Sequence, residues 1–191
     1  MRKIISKKIE ERKNRRMQFI VGGLLILIMA LSTIGYSINN NHENNFEKIN
    51  YKGIEFVREN NLWNVKIGNY QFGFLYNPNE VEEINSSLNY LGEYNNEPLY
   101  IYYENSDAMM EIYRNLFYYN NIAERIQEAC PEGETCNAEV PVKDCTNNFI
   151  VIKKSEKSEV KQENNCVFIS GSDEEIVKIT DGFLFKITGI Q

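Results

Sequence analysis

Phe19 to Ile38, FIVGGLLILIMALSTIGYSI, runs for twenty residues without a charged side chain. A helix rises 1.5 Å per residue, so this run covers about 30 Å, the hydrocarbon thickness of a bilayer. Ahead of it stand Arg2, Lys3, Lys7, Lys8, Arg12, Lys13, Arg15 and Arg16 against Glu10 and Glu11, a balance of +6. The chain as a whole carries −6, so everything beyond residue 18 carries −12. Lys and Arg beside a span resist translocation, which orients the basic end towards the cytoplasm. The expected organisation is a basic cytoplasmic tail at 1–18, a single-pass signal-anchor helix at 19–38, a polar linker at 39–49 and an extracytoplasmic domain at 50–191. The expected location is the cell membrane. The lipid bilayer is then the first partner, with other envelope or membrane proteins as candidates. An acidic domain argues against nucleic acid, because phosphates are bound by cations.

Three other readings of the apolar run are weighed. Ala30-Leu31-Ser32 offers small residues at a signal-peptidase spacing after a core from Phe19 to Met29. Against cleavage, apolar character continues through Ile34, Tyr36 and Ile38, and Phe19 and Tyr36 sit at the two interfaces where aromatic rings are favoured. No Cys follows the run to carry a lipid. A pilin needs a small cleavage residue before the apolar run, and NNNHENN would break its continuous helix. Residues 1–18 fit either a basic surface helix with Ile4, Ile5 and Ile9 towards lipid or a charged tail. His42, the sole histidine, lies in the polar linker, where an imidazole is ordinarily solvated.

All four cysteines, Cys130, Cys136, Cys145 and Cys166, follow the span, and an even number there predicts two disulfides in an oxidising compartment. Neither a Cys-x-x-Cys redox pair nor two such pairs at a zinc spacing is present. Pro131 and Gly133 let the chain double back, which makes a Cys130–Cys136 bridge reasonable and leaves Cys145 for Cys166. Three connectivities remain formally open.

The external region predicts an α+β domain, a two-layer arrangement of antiparallel sheet and helices. Tyr51–Val57, Leu62–Ile67 and Tyr70–Tyr76 read as three strands joined at Asn60-Asn61 and Gly68-Asn69, with Trp63 anchoring the core. Pro78 and three acids predict a helix over Glu80–Leu91, burying Val81, Ile84, Leu88 and Leu91. The acids Glu80, Glu82 and Glu83 suit a helix's positive end better than a cation site. Asn85-Ser86-Ser87 is a glycosylation sequon. Pro98–Tyr103 reads as a strand. Asp107 then caps a long helix over Ala108–Cys130, whose stripe of Met109, Ile112, Leu116, Tyr119, Ala123, Ile126 and Cys130 fits a sheet better than a dimer seam. Phe149–Lys153 and Cys166–Ser170 are further strands, with Lys154–Asn165 a solvated loop. At the C-terminus, Ser172-x-x-Glu175 and the apolar face of Ile176, Ile179, Phe183, Leu184, Ile187 and Ile190 favour a helix over a hairpin at Asp181-Gly182.

Several of these stretches together resemble a group of uncharacterised single-span archaeal membrane proteins with a small extracytoplasmic domain. They are Tyr51-Lys-Gly-Ile-Glu-Phe56, Trp63 with Ile67, Pro78-x-Glu80-Val81, Asn165-Cys166 and the segment ending Gly189-Ile190. The resemblance covers much of the external domain. It implies the anchored architecture and a C-terminal helix, and it brings no activity or functional residues.

The sequence holds no Gly-x-Ser-x-Gly, Walker A or Gly-x-Gly-x-x-Gly motif, and it indicates no catalytic, cofactor-binding or metal-binding set. The leading expectation is a membrane-anchored extracytoplasmic binding or scaffolding module, for which an exposed aromatic patch would speak. The alternative is an accessory subunit of a cell-envelope membrane complex, for which polar positions in the span would speak; Ser32, Thr33 and Ser37 are those present. The third is a carboxylate-dependent enzyme, which needs paired acids in a cleft.

Overall fold

The computed structural model describes residues 7–39, 46–136 and 139–191, and the chain divides into two compact units between Asn45 and Phe46. The expectations for residues 1–6, for His42 and for most of the polar linker lie outside the described residues. In the first unit a single helix, α1 (Lys7–Asn39), continues from the basic flank through the apolar run. Within it Arg15–Ser32 is long and apolar enough to cross a membrane, and none of that stretch is buried within the protein. An N-terminal signal sequence satisfies the same criterion.

The second unit opens with a four-stranded antiparallel meander: β1 (Lys48–Tyr51), β2 (Ile54–Glu59), β3 (Leu62–Ile67) and β4 (Tyr70–Phe74). The first expected strand is in fact two. Lys52 and Gly53 take φ of 49° and 88°, and the Gly53 N–H donates to Asn50 Oδ1 at 3.0 Å, closing a primed turn inside the apolar run. Asn60 and Asn61, at φ of 52° and 65°, make the next one. Trp63 lies opposite Phe74 and Val65 opposite Phe72, so one face of this sheet is buried and aromatic.

The helix expected over Glu80–Leu91 does not form. Asn77 Oδ1 accepts the Asn79 N–H and Glu80 Oε2 accepts the Asn77 N–H, a local turn that competes with helix initiation. The chain then runs as an extended strap. Ser86 Oγ donates to the Val160 carbonyl, and the Asn89 N–H donates to Gln162 Oε1 at 2.7 Å. Val81 reaches the core because residue 182 is glycine: a Cβ there would stand 2.9 Å from Val81 Cγ1. Asn85 of the sequon is exposed on this strap.

A second, mixed sheet corrects the antiparallel expectation. Its strands are β5 (Pro98–Tyr103), β6 (Arg125–Glu128), β9 (Phe149–Lys154), β10 (Glu159–Glu163) and β11 (Cys166–Gly171), in the order β10-β11-β9-β5-β6. β6, β5, β9 and β11 run parallel, and only β10 is antiparallel to its neighbour. The cause lies in the segment expected as one long helix. Asn105 rather than Asp107 is the N-cap, accepting from the N–H groups of Asp107 and Ala108. The helix α2 (Ser106–Tyr113) passes into a π turn (Arg114–Tyr118), and Asn121, at φ 48°, ends it. Residues 125–128 return as a parallel edge strand, the crossover that parallel pairing requires. The stripe from Met109 to Cys130 is thereby divided: Ile112 and Leu116 pack from the helical part, Ile126 from a strand. Likewise the charged stretch Lys154–Asn165 is not all loop, since β10 lies within it and buries Val160.

The C-terminal segment is the expected helix, α3 (Ile176–Thr188), although the Ser172 carbonyl, not its side chain, receives the Glu175 and Ile176 N–H groups. α3 is buried on most of its circumference. Phe185 meets Phe74 at 4.5 Å and Phe56 at 6.3 Å between ring centres, while Ile176 and Ile179 close on Gly171 of β11. This helix therefore joins both sheets to one core.

Both disulfides follow the expected pairing. The sulfurs of Cys130 and Cys136 are 2.05 Å apart and those of Cys145 and Cys166 2.12 Å apart, and no described cysteine is free. β7 (Cys130–Pro131) and β8 (Val142–Lys143) form a short parallel ladder beside the first bridge.

Candidate recognition surface

The free edge of β4 is covered by two asparagines. Asn115, fully buried, accepts the Gly73 N–H at 2.8 Å and returns its own amide N–H to the Gly73 carbonyl at 3.0 Å. Asn120 does the same for Gln71, at 2.9 and 2.8 Å. Along a strand, residues 71 and 73 present their edge groups in the same direction. The π turn places side chains five apart along α2's continuation to meet them, so the two amides stand in for a neighbouring strand.

This seating turns four aromatic rings into a shelf. Tyr113 lies 5.4 Å from Phe117 and 6.5 Å from Tyr118, and Tyr118 lies 5.6 Å from Tyr119. Tyr118 is 68% exposed and Tyr119 39%, so the cluster is not core packing. Tyr119 approaches β4 closely: a Cβ at Gly73 would stand 3.1 Å from its Cε2. Its ring also forms one wall of a groove of about 290 Å³ lined by Glu59, Asn60, Leu62, Asn64 and Gln71. The groove offers amides, one carboxylate and an aromatic edge, and no cation among its lining residues. The expected apolar stripe includes Tyr119, which the structure leaves exposed. The signal available was Tyr113-x-x-x-Phe-Tyr-Tyr-Asn-Asn, too many aromatic rings and asparagines for a solvated helix end.

The other expected residues fall elsewhere. Trp63 is buried beneath the Arg58 guanidinium, 5.4 Å from its ring centre, and anchors the meander. Glu83 pairs with Lys52 at 2.7 Å, a hydrogen bond that lowers its carboxyl pKa and raises that of the ammonium, while Glu80 is turned to Asn77. No group of three or more metal-ligating side chains occurs among the described residues. Open parallel sheets bind ligands beyond the carboxyl ends of their strands. Here that edge is bridged by the protein itself: Glu104 accepts the Lys154 N–H at 2.8 Å, and the Lys154 ammonium pairs with Asp173 at 2.8 Å.

One pair of acids does meet, but inside the core. Glu111 of α2 and Asp181 of α3 are wholly buried, and burial is the first cause holding both above the ordinary carboxylate range. The pair lies in no cleft that a substrate would enter, which separates it from the spaced carboxylates of a hydrolase.

The chain matches no family model, no curated protein and no solved structure.

Proposed function

We propose that this protein is a single-pass, membrane-anchored binding module, oriented with its N-terminus in the cytoplasm and its disulfide-linked domain outside. On this reading the aromatic shelf of Tyr113, Phe117, Tyr118 and Tyr119 is the surface by which it engages an envelope partner. The observation that carries the proposal is the exposure of Tyr118 and Tyr119, in a run of four contacting rings whose other members, Tyr113 and Phe117, are half-buried beside and within the π turn. Aromatic side chains are concentrated at protein interfaces, and π turns recur at functional sites. The adjoining groove adds amide groups for orientation.

A photo-crosslinking side chain placed at Tyr118, with one at exposed Glu156 as control, tests this in intact membranes. Position 118 should trap a discrete partner, position 156 should not, and Phe117→Ala with Tyr119→Ala should abolish the adduct without altering membrane insertion. Equal labelling from the two positions would end the proposal. Adducts formed instead from a probe in the span, at Leu24 or Ile28, would move the accessory-subunit reading to first place.

A further inference from the structure

We propose that Glu111 and Asp181 hold one proton between them, and that this shared proton latches α2 to α3. Neither side chain has any exposed surface. Arg114 donates to Glu111 Oε1 at 2.5 Å, and the Tyr76 N–H donates to Asp181 Oδ2 at 2.9 Å. The two remaining oxygens, Glu111 Oε2 and Asp181 Oδ1, have no donor from any other group. Each carboxyl acts on the other's ionisation across the contact between α2 and α3. Two ionised carboxylates in that position would repel and would leave two buried acceptors unsatisfied. One proton between them removes both penalties.

The charges around the pair lead to the same count. One carboxylate, one carboxylic acid and the Arg114 guanidinium sum to zero, whereas two carboxylates would bury an uncompensated negative charge. Arg114 is the cation that acts on both carboxyls. The two residues just after β4 contribute backbone N–H groups, Leu75 towards Glu111 and Tyr76 towards Asp181. Lys178 of α3 pairs with Glu175 at 3.3 Å and lies over the Tyr76 ring, and Glu80 at the start of the strap is held by the Asn77 N–H. Desolvation and the mutual repulsion of the acids both raise the Asp181 carboxyl, and Arg114 opposes them.

The sign of the pH dependence follows. Above the ordinary carboxylate range the unfolded chain has released this proton and the folded chain keeps it. Folding stability then falls as pH rises, until the pair itself ionises. One retained proton makes the unfolding constant grow by up to about tenfold per pH unit. This inference does not rest on the binding role of the shelf.

The test uses the full chain in detergent micelles, unfolded by urea from about pH 6 to pH 9 and followed by the fluorescence of Trp63, its sole and buried tryptophan. Asp181→Asn supplies an amide donor towards Glu111 that does not titrate, and it should remove the tenfold component from the pH slope. The infrared spectrum of the wild-type protein at neutral pH should show a protonated carboxyl band, and this holds whether or not the variant folds. Equal pH slopes in the two proteins, or a wild-type spectrum containing only ionised carboxylates, would overturn the proposal.

Discussion

At the scale of single residues, asparagine makes contacts here that carbon side chains cannot. Asn115 makes three hydrogen bonds in a fully buried site: two with Gly73 and one to the Glu111 carbonyl at 3.0 Å. Asn115→Ala strands the Gly73 N–H away from water and leaves the Gly73 carbonyl with only the Arg114 guanidinium, at 3.4 Å, and a buried unsatisfied group costs about 1–3 kcal/mol. Asn120 makes the equivalent pair with Gln71 at an exposed site, where water can replace it. Urea unfolding should therefore show a loss of about 2–4 kcal/mol for Asn115→Ala and about 1 kcal/mol or less for Asn120→Ala. Similar losses in the two variants would mean that the amides do not close the strand edge. None of this was legible in the sequence. An asparagine's partners are chosen by what lies opposite it, and Gly73 is 42 positions away.

At the scale of elements, the two disulfides constrain very different lengths of chain. Cys130–Cys136 spans 6 residues and Cys145–Cys166 spans 21. Loop-closure entropy assigns about 2 kcal/mol to the shorter bridge and about 3 kcal/mol to the longer. Cys166 also begins β11, against which Phe149 of β9 is registered, so the longer bridge holds two strands of the parallel sheet in place. Cys145→Ser with Cys166→Ser should lower the melting temperature more than Cys130→Ser with Cys136→Ser. Equal shifts, or the reverse order, would show that strain or residual unfolded structure outweighs the loop term. The elements that sequence located well are those whose signals are local. Alternation marked the strand read at Tyr70–Tyr76, the run FIVIK marked Phe149–Lys153, an asparagine pair marked the turn at residues 60–61, and an apolar face at helical spacing marked α3. The helix expected at 80–91 was misplaced because a strap lying on a core can bury residues three and four apart just as a helix does. Periodicity records which side chains are buried, not which backbone brings them there.

At the scale of the whole molecule, the charge asymmetry predicts the sidedness of the protein. Protease added to intact cells or right-side-out vesicles should remove the domain beyond Phe46 and leave the basic N-terminal segment protected. Neutralising Arg12, Lys13, Arg15 and Arg16 should weaken or invert insertion, because these cations flank the span. Protection of the domain from external protease would reject the proposed topology. Release of the domain as a soluble fragment without protease would instead identify the apolar run as a cleaved signal.

The sequence alone determined where an apolar helix stands, how charge is divided about it, and that four cysteines lie beyond it in a mixed α+β region. These are properties of composition over a local window, and the chain's remaining contacts do not alter them. Tertiary structure decided the rest. It stopped α2 after a π turn and sent residues 125–128 back as a parallel strand. It laid residues 80–91 down as a strap because Gly182 leaves room for Val81. It also brought Glu111 to Asp181 across 70 positions of chain, between two helices that each read as ordinary amphipathic segments. A polar residue's role depends on the donor, acceptor or charge that burial places against it, and only the packed chain specifies that neighbour.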